Sequence, residues 1–416
     1  MNEVKDFAQL GVDEPLCEAL AKQDITKPTA IQMEILPKAL EGQSLLGEAP
    51  TGTGKTLAYL LPTLMQLDAE AKEVQAVILA PTYELAMQIT NTARDLSQQA
   101  ELGIRVQGLI GGANIARQID KLKEKPQLII GSAGRLLELA RRKKLQLNKA
   151  KVLVLDEFDR MLDDQNLQNT ADVVRLMPPR EEMQILLFSA TTSRKALERA
   201  SFLGNPEHIV VEDTAVKSGF RDDYYRITPF REKIEVLRKL TRRLNITRGL
   251  VFINKRFDVE KTLSHLRYEG LSVESLISAG GKQERQHAVS AFSKGKVRLL
   301  LATDVAARGL DIPGIDYVVN LDVPENAQAY LHRAGRTARA GAHGTVITLA
   351  DIKEAYKLEL LEKQLKIALK PLEPGGKALP KGAPQKGRAA GHRAPARGRK
   401  QGKAAEEKKP SARKHS

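Results

Sequence analysis

Eight short, continuous apolar runs separated by longer helix-patterned stretches constrain this chain more than any other feature. Four lie in its first half, at 76–79, 127–130, 151–155 and 184–188, and four in its second, at 249–253, 298–301, 317–319 and 345–347. A strand with one solvated face alternates apolar and polar residues, so unbroken runs of this length predict parallel strands covered by helices on both faces. The pattern pauses between about Gly204 and Tyr224, around a Gly-Asn-Pro and the polar stretch 212–219. Two α/β domains are therefore expected, at 1–213 and 224–369, joined by a linker at 214–223.

Polar groups stand directly after most of the runs: Pro81-Thr82, Gly131-Ser132, Asp156-Glu157, Ser189-Ala190-Thr191, Asn254-Lys255 and Thr303-Asp304. Open parallel sheets bind ligands beyond the carboxyl ends of their strands, so each half should gather these groups on one edge.

Ala49-Pro50-Thr51-Gly52-Thr53-Gly54-Lys55-Thr56 has the form of a phosphate-cradling loop, with Ala49 where the general pattern has Gly. Gly52 and Gly54 free the backbone N–H groups to wrap phosphates, Lys55 reaches the β and γ oxygens, and Thr56 offers a hydroxyl to Mg²⁺. Asp156-Glu157-Phe158-Asp159 ends the run at 151–155, where Asp156 would hold the same ion and Glu157 would orient and deprotonate the attacking water. Acids are also common at solvated helix starts, but that reading leaves unexplained why these end a buried strand. Upstream, Lys27-Pro28-Thr29-Ala30-Ile31-Gln32 supplies an amide that can donate to adenine N7 and accept from its N6 amine, which guanine cannot match. Gln32 is the candidate for selecting ATP, Lys27 its neighbour in the same element, and Phe7 the candidate for stacking on the base.

With these elements in place, the chain resembles the DEAD-box ATP-dependent RNA helicases of superfamily 2 over about residues 5–368. Pro81 to Ala86 resembles motif Ia, Gly111-Gly112 the GG element, Ser132 to Arg135 motif Ib, Ser189-Ala190-Thr191 motif III, and Val251 to Asn254 motif IV. Ala302 to Asp311 resembles motif V and His332 to Arg339 motif VI. The resemblance implies two tandem RecA-like domains that close on ATP and RNA. It places Arg336 and Arg339 on the phosphates, Asp311 on ATP from the second domain, and Ser189 with Thr191 between hydrolysis and strand separation. Spacing of three would put Arg333, Arg336 and Arg339 on one helix face. RNA contacts fall to Pro81, Thr82, Gly112, Arg135, Arg285, Thr303 and Asp304, most of them to phosphate and 2′-OH, so that RNA is told from DNA without sequence being read. Duplexes would open by local bending. Several positions depart from the family pattern: Tyr83 replaces an Arg, Phe158 an Ala, Ser132-Ala133 a Thr-Pro and Lys282 a Gln, while Ile277-Ser278 falls near the place of a His-Gly.

Charge divides the chain unevenly. Residues 370–416 hold 14 Lys or Arg against 3 Glu, hence +11 of the formal +15, with no aromatic, Ile or Val. Such a segment lacks the apolar surface to offset its ordering entropy and is expected to be a disordered basic tail that captures RNA, although it would hold DNA equally well. The single Cys17 excludes an internal disulfide, no uncharged apolar run approaches the ~20 residues of a membrane span, and Met1 to Asp6 lack the layout of a secretory leader. A cytoplasmic, monomeric enzyme using ATP and Mg²⁺ on ribosomal or messenger RNA, in ribosome assembly or RNA turnover, is the expectation. The alternatives are an RNA chaperone or annealing scaffold with slow ATPase driven by the tail and, behind it, a DNA translocase.

Overall fold

The computed structural model describes residues 6–111, 114–212, 220–277, 281–307, 312, 314–338 and 342–372. The first sheet comprises β1 (Leu45–Glu48), β2 (Ala76–Leu79), β3 (Val106–Leu109), β4 (Leu128–Gly131), β5 (Val152–Asp156), β6 (Gln184–Ser189) and β7 (Glu207–Val210). The second comprises β8 (Arg221–Ile227), β9 (Gly249–Phe252), β10 (Val273–Ser275), β11 (Leu299–Ala302), β12 (Tyr317–Asn320), β13 (Gly344–Ala350) and β14 (Lys370–Pro371). Their orders are β3-β4-β2-β5-β6-β1-β7 and β10-β11-β9-β12-β13-β8-β14. Counting the second set from one gives the same permutation, so two RecA-like domains of one topology stand in tandem. Every pairing, from β1 with β6 to β14 with β8, is parallel.

The unbroken apolar runs are explained by two covered faces. In the first domain Ile78, Ile130, Val154 and Leu186 enter one apolar cluster, and their neighbours Val77, Ile129, Leu153 and Leu187 enter another on the opposite side. Each such side chain contributes about 1.5–3 kcal/mol on burial. In the second domain a single large cluster gathers Leu250, Val251, Leu300, Leu301, Val318, Val319, Val346 and Ile347.

The order begins and ends differently from the sequence expectation. Arg221 to Asp223, assigned to the linker because two acids and a base read as polar, start β8: Arg221 Nε donates to Asp223 Oδ1 at 2.9 Å and both side chains are buried. The pair neutralises itself inside the sheet. Lys370 and Pro371, assigned to the tail, add an edge strand to β8, and Leu372 N–H donates to Tyr225 O at 2.7 Å. Proline fits there because an edge strand has a side without ladder bonds. The expected disorder of the rest of the tail falls on 373–416, outside the described residues, as do residue 213 and linker residues 214–219. Among the described residues no helix is long and apolar enough to cross a membrane.

Candidate active site

The carboxyl ends of β2, β4, β5 and β6 carry the polar groups expected on one edge of the first domain, and β1 leads into the phosphate-cradling loop. Ala49 N–H still bonds to Ser189 O at 3.1 Å, after which Gly52 (φ 81°) and Gly54 (φ 89°) turn the chain through left-handed conformations into the helix Lys55–Met65. Glycine takes that region without a Cβ penalty. At Gly54 it is also needed for space, since a Cβ there would collide with the Gln32 amide. Lys55 Nζ donates to Pro50 O at 2.9 Å and to Ala49 O, which holds the ammonium inside the loop's concavity.

Gln32 is 1% exposed. Its Oε1 accepts from Thr29 N–H at 2.9 Å, and its Nε2 donates to Gly54 O at 3.0 Å. It therefore braces the loop, with one N–H and one lone pair left for a base. Phe7 is 3% exposed within the cluster of Leu10, Val12 and Ile31, so it offers a base an edge at most rather than the open stacking face expected. Lys27 is exposed beside buried Pro28.

Asp156 closes β5 next to the loop. Burial and the neighbouring Glu157 push its carboxyl up to about 6, against the pull of Lys55. Its Oδ2 accepts from the buried Tyr59 hydroxyl at 2.8 Å, and its Oδ1 from Glu157 N–H at 2.9 Å. Tyr59, which also meets Thr56, is raised well above its ordinary value by burial and by Asp156, so it stays a neutral donor. Sequence reasoning missed it, because a tyrosine on the inner face of a helix reads as core. Glu157 occupies the left-handed region (φ 49°, ψ 50°), an unusual conformation for a side chain of this size, and its buried Oε2 has no hydrogen-bond partner. Arg160 Nε lies 3.5 Å from that oxygen.

Asp159 is the junction the sequence did not reveal. It accepts from the Ser189 hydroxyl at 2.6 Å and, across the domain boundary, from the Gln328 amide of helix Ala327–Ala334. Ser189 in turn contacts Thr191 O at 2.6 Å. One residue on, Arg160 meets His332 Nδ1 at 2.9 Å. Gly335 abuts Thr51 so closely that a Cβ on it would overlap the threonine hydroxyl. Arg336, partly buried, donates from Nε to His332 O at 3.3 Å just beyond this contact. The second domain's arginine segment thus lies against the first domain's phosphate loop.

Arg333 corrects the expectation of three arginines on one face. Its helix ends at Ala334, so Arg336 lies beyond the helix, and Arg333 is 0% exposed inside the second domain. There it grips both oxygens of Asp304 at 2.6 Å, donates to Asn254 Oδ1 at 2.7 Å, and lies over the Phe252 ring at 5.0 Å. Asp304, expected at RNA, has both oxygens engaged in holding this arginine. Arg339 and Asp311 lie outside the described residues, as does Gly112.

Of the remaining groups expected at RNA, Pro81 and Thr82 follow β2, and the Thr82 hydroxyl caps helix Tyr83–Gln99 by accepting from Leu85 N–H at 3.2 Å. Thr303 does the same for Asp304–Ala307 through Ala306 N–H at 3.3 Å. Arg135 is paired within its own helix to Glu138 at 3.3 Å. Arg285 pairs across the domains with Glu84 at 2.9 Å and donates to Ala306 O at 2.7 Å. Phe158, in place of the family's alanine, is 0% exposed in one of the two first-domain clusters.

Comparison with known proteins agrees with this architecture. Residues 29–200 match the family model for the DEAD/DEAH box helicase, and residues 232–341 that for the helicase conserved C-terminal domain. The DEAD-box ATP-dependent RNA helicase CshC of Bacillus cereus is 38% identical over 352 residues, covering 85% of this chain and 89% of that protein. The ATP-dependent RNA helicase SrmB of Escherichia coli is 37% identical over 358 residues, covering 84% and 79%. Among solved structures, S. cerevisiae Dbp5 bound to RNA and ADP BeF3 superposes with a TM-score of 0.76 at 29% identity, over 88% of this chain and 95% of that one.

Proposed function

The chain belongs to the DEAD-box ATP-dependent RNA helicases, and from that premise we propose that it couples RNA-stimulated ATP hydrolysis to local opening of short RNA duplexes or remodelling of ribonucleoprotein. The observation that carries this reading is the set of contacts between the domains. Gly335 on Thr51, Gln328 on Asp159, His332 on Arg160 and Arg285 on Glu84 join the nucleotide loop, the Asp156-Glu157 segment and the RNA-facing edges. An RNA strand lying on both edges would favour this closed arrangement and so populate the hydrolytic state, as any ligand favours the conformation it binds better.

Within that arrangement Pro50, Thr51, Gly52, Thr53 and Gly54 wrap the phosphates and Lys55 neutralises the β and γ oxygens. Glu157 takes the proton of the attacking water. Arg336, with Arg339, faces the charge that develops on the γ-phosphate, an interaction worth roughly 10³–10⁵ in rate in related hydrolases. Gln32 and Lys27 hold the adenine end beside Phe7, and Asp311 approaches ATP from the second domain. Thr56 and Asp156 offer only oxygen donors, beside a buried Glu157 Oε2 that accepts no hydrogen bond and faces Arg160 at 3.5 Å, which suits a hard cation, and they would hold Mg²⁺. When bound, the ion neutralises phosphate charge. Ser189 and Thr191, through Asp159, tie the nucleotide edge to the second domain. Pro81, Thr82, Gly112, Arg135, Arg285, Thr303 and Asp304 form or support the RNA track.

The test is ATP turnover with and without single-stranded RNA, in the native chain and in Glu157→Gln. RNA should stimulate the native enzyme, and loss of the general base should lower turnover about a hundredfold or more. Turnover indifferent to both RNA and the substitution rules the proposal out.

The chaperone alternative rests on the basic tail. Truncation belongs after Leu372, because Leu369 and β14 pack on the second domain. The truncated enzyme should keep its maximal turnover and need more RNA for half-saturation, with a shallower salt dependence. Annealing that vanishes with the tail and never requires ATP would favour the scaffold reading.

A further inference from the structure

On the opposite side of the first sheet from the nucleotide edge lies a second concave, basic surface. The segments preceding three neighbouring strands, β4, β2 and β5, enclose an open cleft of about 320 Å³. Lys72, Lys125, Lys143, Lys144 and Lys149 line it, with Glu73 as the lone carboxylate, over a floor that includes Val74 and Leu145. Among the described residues, none of the five ammonium groups makes a hydrogen bond or ion pair. That separates the cleft from an ordinary charged surface, where cations alternate with acids: Lys123 nearby is held by Asp120 at 2.8 Å.

The backbone supports the concentration of charge. Helix Ala133–Arg141 ends in a turn where Lys143 N–H reaches Ala140 O at 2.8 Å and Lys144 N–H reaches Leu139 O at 2.9 Å, with Lys143 at φ 56°. This Schellman geometry ordinarily takes glycine at the left-handed position. Here a lysine stands there, followed by another. A helix C-terminus draws one or two cations to its dipole. It does not explain Lys149 farther along the same segment, or Lys72 and Lys125 from two other segments, converging on the same cleft.

We propose that this cleft is a second RNA-binding site, taking the phosphate backbone of a single strand that flanks the segment held at the nucleotide edge. The inference rests on the RNA-helicase reading above. A phosphodiester chain is the occupant the chemistry fits, because it offers repeated single charges to separate ammonium groups and demands no base readout from a lining without aromatic rings. Strands of four or five residues at about 3.3 Å each separate the cleft from the nucleotide edge by roughly 13–17 Å of sheet. RNA on both sites must pass around the domain. The cleft therefore acts only on RNAs longer than the catalytic track and anchors the enzyme beside the duplex it opens.

The test compares the full chain with the triple variant Lys143→Gln, Lys144→Gln, Lys149→Gln, using RNA-stimulated ATPase with single strands of about 8 and about 40 nucleotides. With the long strand, the half-saturating RNA concentration should rise about tenfold and the log–log salt slope should flatten by about 2, at ~0.7 for each phosphate no longer neutralised. The short strand's half-saturation and the maximal turnover with either strand should not change. Identical long-strand curves overturn the proposal, and so does an equal loss with both strands, which would place the lysines on the catalytic track. Lysine acetylation footprinting supplies a second readout: the long strand should protect Lys143, Lys144 and Lys149. Protection by an acidic peptide but not by RNA assigns the cleft to a protein partner and overturns it. Failure of RNA to stimulate the native enzyme would instead strike the helicase reading itself, so the two failures are distinguishable.

Discussion

Gly335→Ala is expected to lower RNA-stimulated ATP turnover about a thousandfold while leaving the fold of each domain intact. Gly335 has φ −68°, a conformation any residue adopts, so the substitution costs nothing in backbone strain. Its effect comes from across the domain boundary. A Cβ at this position would overlap Thr51 Oγ1 and lie 3.0 Å from Thr51 Cβ, forcing the arginine segment off the phosphate loop. Arg336 is the next residue, and arginines acting on transferring phosphoryl groups are worth roughly 10³–10⁵ in rate. Displacing the segment should therefore cost most of that factor. Binding of ATP to the first domain should change little, because Lys55 and the loop amides remain. A double-mutant cycle makes the argument specific: Thr51→Ala removes the overlapping hydroxyl and leaves a contact that a shift of a few tenths of an ångström relieves. It should then restore part of the turnover in the Gly335→Ala background, after its own effect on native enzyme is taken out. Absence of any coupling between the two positions would mean that the domains do not meet at this point during turnover.

Gly335 also shows where the sequence stops being informative. Gly52 and Gly54 were legible because a phosphate loop needs their conformational freedom and the spacing to Lys55 announces it. Gly335 carries no such signal, since its requirement is space set by a residue far away in the chain. The same distinction runs through the site. Asp156 and Glu157 were readable as acids ending a buried strand, whereas Tyr59, which donates to Asp156, looks like any apolar-face residue of its helix. Arg333 was readable as a motif residue but not as a buried one, because its direction depends on the helix stopping at Ala334 and on Asp304 and Asn254 waiting inside the second domain.

The fold was legible in the same partial way. Strands covered on both faces, β2, β4, β5, β6, β9, β11, β12 and β13, stand out as unbroken apolar runs. The others do not: β3, β7, β10 and β14 are edge or near-edge strands with polar or very short sequences, and β1 contains Gly47. That glycine is needed because a Cβ would lie 2.6 Å from the Phe188 ring. β8 hides its place beside β13 behind the self-neutralising Arg221 and Asp223. Composition cannot distinguish such a pair from a solvated one, and only the register of the sheet places it.

Phe158→Ala, which restores the family's alanine, is expected to destabilise the first domain by about 3–5 kcal/mol, the usual range for emptying a fully buried phenylalanine site. Its short helix, Phe158–Met161, packs against Arg194–Ala200, whose buried residues Ala196 and Ala200 belong to the same apolar cluster as the ring. Hydrogen exchange at the β5 and β6 amides measures the loss, because a two-domain chain need not unfold as one cooperative unit. Ala196→Leu in the same background should recover part of the stability by refilling the space. Turnover should fall with stability in the single variant, since Glu157 is held at φ 49° between buried Asp156 and buried Phe158, and such a conformation persists only while its neighbours enforce it. A variant as stable as the native chain would show that the cluster closes around alanine. A variant that is less stable yet hydrolyses ATP at the native rate would show that Asp156 alone fixes the glutamate.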